Sequence, residues 1–81
     1  MGLIRSVCVS PDGYWIAVGQ ASGLLTVLDV RTGMVLSSWK GHEAEVLQLA
    51  TVNDNILMSS SLDQTVSAWN ASDGKFKFFM K

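Results

Sequence analysis

Apolar and polar residues alternate along this chain in short runs, and glycine punctuates the runs at even intervals. Gly13, Gly23 and Gly33 fall ten residues apart, each closing a turn-like cluster: Pro11-Asp12-Gly13, Ala21-Ser22-Gly23 and Arg31-Thr32-Gly33. The runs between them are rich in Val, Leu, Ile and Trp. Short strands separated by turn signals at this spacing are an all-β pattern. Asp-Gly suits a tight hairpin because glycine accepts positive φ without steric cost. The pattern predicts strands over residues 4–10, 14–19, 24–29 and 34–39. Connections this short cannot make parallel crossovers, so the strands form an antiparallel meander. No long segment shows a helical period free of glycine.

The second half repeats the first. Asp73-Gly74 echoes Thr32-Gly33 at an offset of 41, and Trp69-Asn70 echoes Leu28-Asp29 at the same offset. Ile56-Leu57-Met58-Ser59 echoes Trp15-Ile16-Ala17-Val18. In the first strand the offset is 42, with Val46 and Leu49 answering Ile4 and Val7. The lost residue falls in the first hairpin, where Asn53-Asp54-Asn55 replaces Ser10-Pro11-Asp12-Gly13. Length changes belong in loops, so this is how a true repeat behaves. Four more strands follow, at about 45–51, 56–61, 65–70 and 75–80. Four strands in a unit of this length are the signature of a propeller blade. The units divide at 1–40 and 41–81, each a four-stranded antiparallel blade of a partial β-propeller. A single such sheet cannot cover both of its faces, and blades stack to cover one another.

Composition agrees with a chain buried on several sides. Of 81 residues, 48% are hydrophobic and 16% charged. A net charge of −1 leaves no basic stripe to follow a phosphate backbone, which argues against nucleic acid. No run is long and apolar enough for a membrane-spanning helix, and residues 1–5 do not read as a signal peptide. The chain opens on a strand-like run, which suits an origin within a longer protein. A single cysteine, Cys8 in Val7-Cys8-Val9, fits a small buried hydrophobe in a reducing, cytoplasmic setting better than a reactive thiol.

Several of these pieces fall in the order that the WD-repeat family uses, and the chain resembles that family over nearly its whole length. Gly41-His42 precedes the second unit, Ser59-Ser60-Ser61-Leu62-Asp63 leads to its third strand, and Trp69-Asn70 stands where a Trp-Asp pair is usual. Leu28-Asp29 holds that place in the first unit, and Ser10-Pro11-Asp12-Gly13 matches the usual first hairpin. The resemblance implies a buried hydrogen-bonded tetrad of His42, Ser59, Asp63 and Trp69. Its chemistry is sound: an indole N–H needs an acceptor, a hydroxyl both accepts and donates, and a carboxylate can fix an imidazole. In the first unit Val18, Ser22 and Leu28 take the Ser, Asp and Trp positions, so that blade is expected to rely on apolar packing.

Other chemistries compete for the same residues. His42, Ser59 and Asp63 could form a hydrolytic triad, but Ser59 lacks the glycine-rich elbow of an exposed nucleophile. Metal binding by His42, Glu43 and Glu45 would be weakly specified on one loop. Neither a catalytic residue, a metal site nor a cofactor is expected. Asn70-Ala71-Ser72 matches a glycosylation sequon, yet Asn70 sits at the Trp-Asp position. The stretch Lys75-Phe76-Lys77-Phe78-Phe79-Met80-Lys81 reads as an outer strand, or as a contact for anionic membrane.

Strand ends at the rim of a propeller are natural binding surfaces, and Arg5, Tyr14 and Trp15 are candidates for a partner contact; for Trp15, packing between blades is the favoured reading. A narrower resemblance, carried by Val9-Ser10-Pro11, Leu28-Asp29-Val30-Arg31-Thr32-Gly33, His42-Glu43 and Leu47-Gln48, is to the BEACH group of large trafficking proteins. It implies a non-catalytic scaffold in endosomal and lysosomal traffic and autophagy. Its partners would be other proteins and the remaining blades, with peripheral association with endosomal membrane. A phosphoinositide or membrane-surface reader is the alternative, and an enzyme the least favoured.

Overall fold

The described residues form eight strands: β1 (Ile4–Val9), β2 (Trp15–Gln20), β3 (Leu24–Asp29), β4 (Val35–Lys40), β5 (Val46–Thr51), β6 (Ile56–Ser61), β7 (Val66–Asn70) and β8 (Phe76–Met80). The computed structural model describes residues 3–71 in full and the backbone of 76–80. The strands form two four-stranded sheets in sequential order, β1-β2-β3-β4 and β5-β6-β7-β8, and every pairing is antiparallel. The described residues contain no helix, as the glycine spacing predicts.

The turns explain the meander. Gly13, Gly23 and Gly33 adopt φ of 78°, 92° and 73°, a region that residues with a Cβ enter only at a cost. The repeat extends to irregularities that the sequence did not announce. Each inner strand carries one unpaired residue, Arg5 in β1 and Leu47 in β5, which lie 42 apart like the residues around them. A bulge of this kind bends its strand and sharpens the local twist. Each outer pair is also bulged, between Val27 and Leu28 and between Ala68 and Trp69.

The core lies between the two sheets. Trp15, Ala17, Leu25 and Val27 of the first sheet meet Val46, Leu49, Leu57 and Trp69 of the second. Leu25, Val27, Val46 and Leu57 have no solvent exposure. Each such aliphatic side chain contributes about 1.5–3 kcal/mol on burial. The sheets come closest along their inner strands, with β5 against both β1 and β2. Two sheets drawn together on one side have the radial arrangement of neighbouring propeller blades.

Candidate functional site

A polar network crosses the second sheet from its inside to its rim. His42 sits in the β4–β5 loop, and its backbone N–H donates to Gly23 O at 3.2 Å. Gly41, just before it, passes so close to the core that a Cβ would stand 2.6 Å from Leu25 Cδ1 and 2.9 Å from Trp69 Cζ2. This steric demand accounts for a glycine before the histidine. The His42 ring, whose side chain is fully buried, then reaches Ser59 in the middle of β6. Nε2 lies 2.6 Å from Ser59 Oγ, and the same oxygen accepts the Trp69 indole N–H at 2.8 Å. On the other side of the ring, Nδ1 lies 3.0 Å from Thr65 Oγ1 and 3.3 Å from Asp63 Oδ2.

One proton arrangement serves every donor. Trp69 donates to Ser59, Ser59 donates to His42 Nε2, and His42 donates from Nδ1 to Thr65 and Asp63. The Thr65 hydroxyl completes the run by donating to Asp63 Oδ1. The network thus assigns the Nδ1–H tautomer to His42. Burial pushes the Asp63 carboxyl up, but hydrogen bonds from the Thr65 side chain and from the backbone of Glu43 and Thr65, with the nearby His42 ring, outweigh it. Its pKa is brought down to about 2. The Glu43 N–H donates to Asp63 Oδ2 at 3.1 Å, so the carboxylate also pins the loop that carries His42.

The four residues implied by the family resemblance, His42, Ser59, Asp63 and Trp69, therefore lie in one connected cluster. Thr65 belongs with them, and it was missed. Its signal was the Asp63-Gln64-Thr65 spacing, in which an Asp caps the N–H two residues on; here that bond is 3.0 Å.

Chemically the cluster is closed. Ser59 is 2% exposed, and its oxygen is already engaged by an indole and an imidazole. An acyl-transfer nucleophile needs access to a carbonyl and an oxyanion site beside it. Glu45 is turned to Arg5 at 3.1 Å and Glu43 to Lys40 at 3.8 Å. Among the described residues no three His, Cys, Asp or Glu side chains converge as a metal-binding group. Burial pushes the Cys8 thiol up, which disfavours the reactive thiolate.

The first sheet has no counterpart of the network. Its first hairpin is fixed instead by Ser10, whose hydroxyl accepts the N–H of Tyr14 and of Trp15, each at 3.1 Å. Ser10 donates in turn to Asp12 at 2.6 Å.

Arg5, Tyr14 and Trp15 do not make one surface. Strand β1 runs antiparallel to β2, with Ile4 opposite Gln20 and Val9 opposite Ile16. Arg5 and Tyr14 thus lie at opposite ends of the first sheet. Arg5 stands at the network rim in its ion pair with Glu45. Trp15 is 7% exposed, within the core between the sheets, and its indole N–H donates to Asp54 O at 2.9 Å. So large an aromatic, on the face of β2 that also carries Ala17, is drawn into the seam. Only Tyr14 of the three is an exposed aromatic, at 63%. Its neighbours on that rim are Val30, whose N–H donates to Tyr14 O, and Met34, whose carbonyl accepts from Asp29. Both are exposed apolar residues flanking a turn. The side chains of the Lys/Phe strand, and Ser72 of the sequon, lie outside the described residues.

A meander repeated in two converging sheets, with a His-Ser-Trp cluster in the second, defines a class of protein, and the family model agrees. The model described as "WD domain, G-beta repeat" matches residues 1–29 and 33–70, and the chain belongs to the WD40-repeat family. Among individual proteins, it is similar to WD repeat-containing protein 81 of Danio rerio, at 46% identity over 91% of the chain. The same protein of Homo sapiens is 39% identical over 91% of the chain. The chain spans 4% of the length of each. Among solved structures, the WD40 repeats of RRP9 superpose with a TM-score of 0.92 at 21% identity, covering all of this chain and 26% of that one. That likeness is one of fold.

Proposed function

We propose that this chain is a non-catalytic interaction scaffold: two blades of a WD-repeat propeller that offer a rim to other proteins in endosomal and lysosomal traffic and autophagy. It acts on the cytoplasmic side, with the remaining blades completing its support. The observation that carries this reading is a contrast of placement. The residues with reactive chemistry are locked inside, while Tyr14, Val30 and Met34 stand 63%, 45% and 67% exposed on one rim. Exposed aromatic and methionine side chains are the material of protein contacts. The trafficking setting is the one that the sequence resemblance to the BEACH group implies.

The test is made in the full-length protein that contains this chain. Tyr14→Ala with Met34→Glu is compared with the wild type by co-purification from cells and by the distribution of the protein on endosomes. Loss of a defined set of co-purifying proteins, at unchanged protein level, is expected. Unchanged partners would overturn the reading. Binding to phosphoinositide vesicles that survives the substitutions, with partners unchanged, would turn it to a membrane reader.

A further inference from the structure

The charged residues sort by rim. At the end of the sheets that holds His42, Arg5 pairs with Glu45 at 3.1 Å and Lys40 with Glu43 at 3.8 Å, and Asp63 is taken up by the hydrogen-bonded network. At the opposite end stand Asp12, Asp29 and Asp54 with one cation, Arg31. Among the described residues none of these four is joined in an ion pair, although Arg31 acts on Asp29 at longer range. One rim is electrostatically finished and the other is left acidic.

The acidic rim is also the apolar one. Val52 of the β5–β6 hairpin, 58% exposed, joins Tyr14, Val30 and Met34 there. Bonds between the hairpins set these residues side by side: the Trp15 indole N–H donates to Asp54 O at 2.9 Å, and the Val30 N–H donates to Tyr14 O at 3.0 Å. All four apolar residues lie just beyond strand ends, whereas blades stack through their sheet faces, so this surface is not one that a neighbouring blade covers. Two of the carboxylates are fixed to their turns. The Ser10 hydroxyl donates to Asp12 at 2.6 Å and the Thr32 hydroxyl to Asp29 at 2.8 Å. These bonds hold both carboxyls below the usual carboxylate value. A carboxylate has about four acceptor sites, so capacity remains for an incoming donor.

We propose that this rim takes a basic peptide segment of another protein, one in which Lys or Arg flanks a large apolar residue. The apolar residue rests on Tyr14 and Met34, and the cations reach Asp12 and Asp54. The anchor supplies most of the affinity. The carboxylates set the sign of the partner and speed its encounter. Anionic membrane and nucleic acid both bring phosphates, which this rim repels. The proposal rests on the scaffold reading and adds the chemistry of the partner.

The test uses the full-length protein that contains this chain and a phage-displayed library of random peptides. Asp54→Lys is combined with Asp12→Asn. The Asp54 side chain is exposed and only its backbone carbonyl makes a hydrogen bond within the fold, while Asn at position 12 keeps an acceptor for Ser10. An unchanged melting temperature checks that the fold is kept. The wild type should select peptides enriched in Lys and Arg beside Leu, Ile, Phe or Met, and the double variant should lose the Lys and Arg enrichment. Synthetic peptides from the enriched pool should bind the variant roughly three- to tenfold more weakly, the scale of exposed ion pairs lost and reversed. Raising the salt should shrink that difference. A wild-type pool without basic enrichment, or affinities that the charge changes leave unaltered, would overturn the proposal. So would binding of anionic vesicles that is lost in Tyr14→Ala with Met34→Glu. The scaffold reading fails separately, when Tyr14→Ala with Met34→Glu leaves the co-purifying proteins unchanged. If that pair removes them and the aspartate changes do not, the rim stands and its basic partner falls.

Discussion

Ser59 and Trp69 stand on adjacent strands with the indole N–H 2.8 Å from the serine hydroxyl. The bond exists because His42 takes the serine's own proton at 2.6 Å, leaving its lone pairs free for the tryptophan. Ser59→Ala strands two buried groups at once, each costing roughly 1–3 kcal/mol. Thermal and denaturant unfolding, in a protein that retains flanking blades, should show a larger loss than for Ser10→Ala. A loss confined to a few tenths of a kcal/mol would mean that the network contributes nothing net.

Matched substitutions before the third strand separate the two sheets. Asp63→Ala removes the acceptor of Thr65, His42 and the Glu43 N–H, and should cost roughly 1–3 kcal/mol. Ser22→Ala, at the equivalent place in the first sheet, touches an exposed residue and should stay within about 0.5 kcal/mol. Denaturant midpoints of the two variants decide it. Equal losses would rule out a special role for Asp63.

Acid should find the same carboxylate. Its pKa falls from 3.8 unfolded to about 2 folded, so the folded state binds fewer protons and is favoured wherever the group is ionised. This contribution is complete above pH 3.8 and is lost as pH falls through about 2. Asp63→Asn should flatten the acid limb of the stability curve over that window while the neutral plateau drops. Urea midpoints taken across the window provide the check.

Two glycines with positive φ should not tolerate alanine equally. At Gly13, φ is 78° and nothing lies within 4 Å of a built Cβ, so alanine meets only the backbone penalty of about 1–2 kcal/mol. At Gly23, φ is 92° and the Cβ would run into the carbonyl of His42. Gly23→Ala should therefore lower the melting temperature well beyond Gly13→Ala. It should also disturb the His42 loop, visible as loss of amide-exchange protection at Gly41 and His42. Equal melting temperatures would contradict that close approach.

The fold was legible because period, turn glycines and strand patterning are local and repeated. Every predicted strand lies within a residue or so of the observed one. The bulges at Arg5 and Leu47 were not legible, since a bulge spends one residue in an otherwise unbroken run and leaves no composition mark. The membership of the candidate network, His42, Ser59, Asp63 and Trp69, was implied by the family resemblance, but Thr65 was overlooked as an ordinary strand opener. The placement of the surface residues was least legible. Arg5, Tyr14 and Trp15 were selected by type, whereas which of them stands at a rim and which in the seam is decided by register, which a run of residue types does not reveal; Trp15 lies in the seam, as its packing reading had it.

The shortened hairpin has a consequence for how these two units can vary. In the first, Ser10 Oγ receives the N–H groups of Tyr14 and Trp15; in the second, Asn53 Oδ1 receives those of Asn55 and Ile56, at 2.8 and 3.0 Å. Different side chains solve the same turn, but only the second version offers Asp54 O to the Trp15 indole across the seam. The hairpins are thus no longer interchangeable. Swapping them would preserve each strand and leave the tryptophan without its acceptor. What began as a tandem copy has acquired a direction, and a shuffled or permuted descendant would have to rebuild this one bond before it could keep the order reversed.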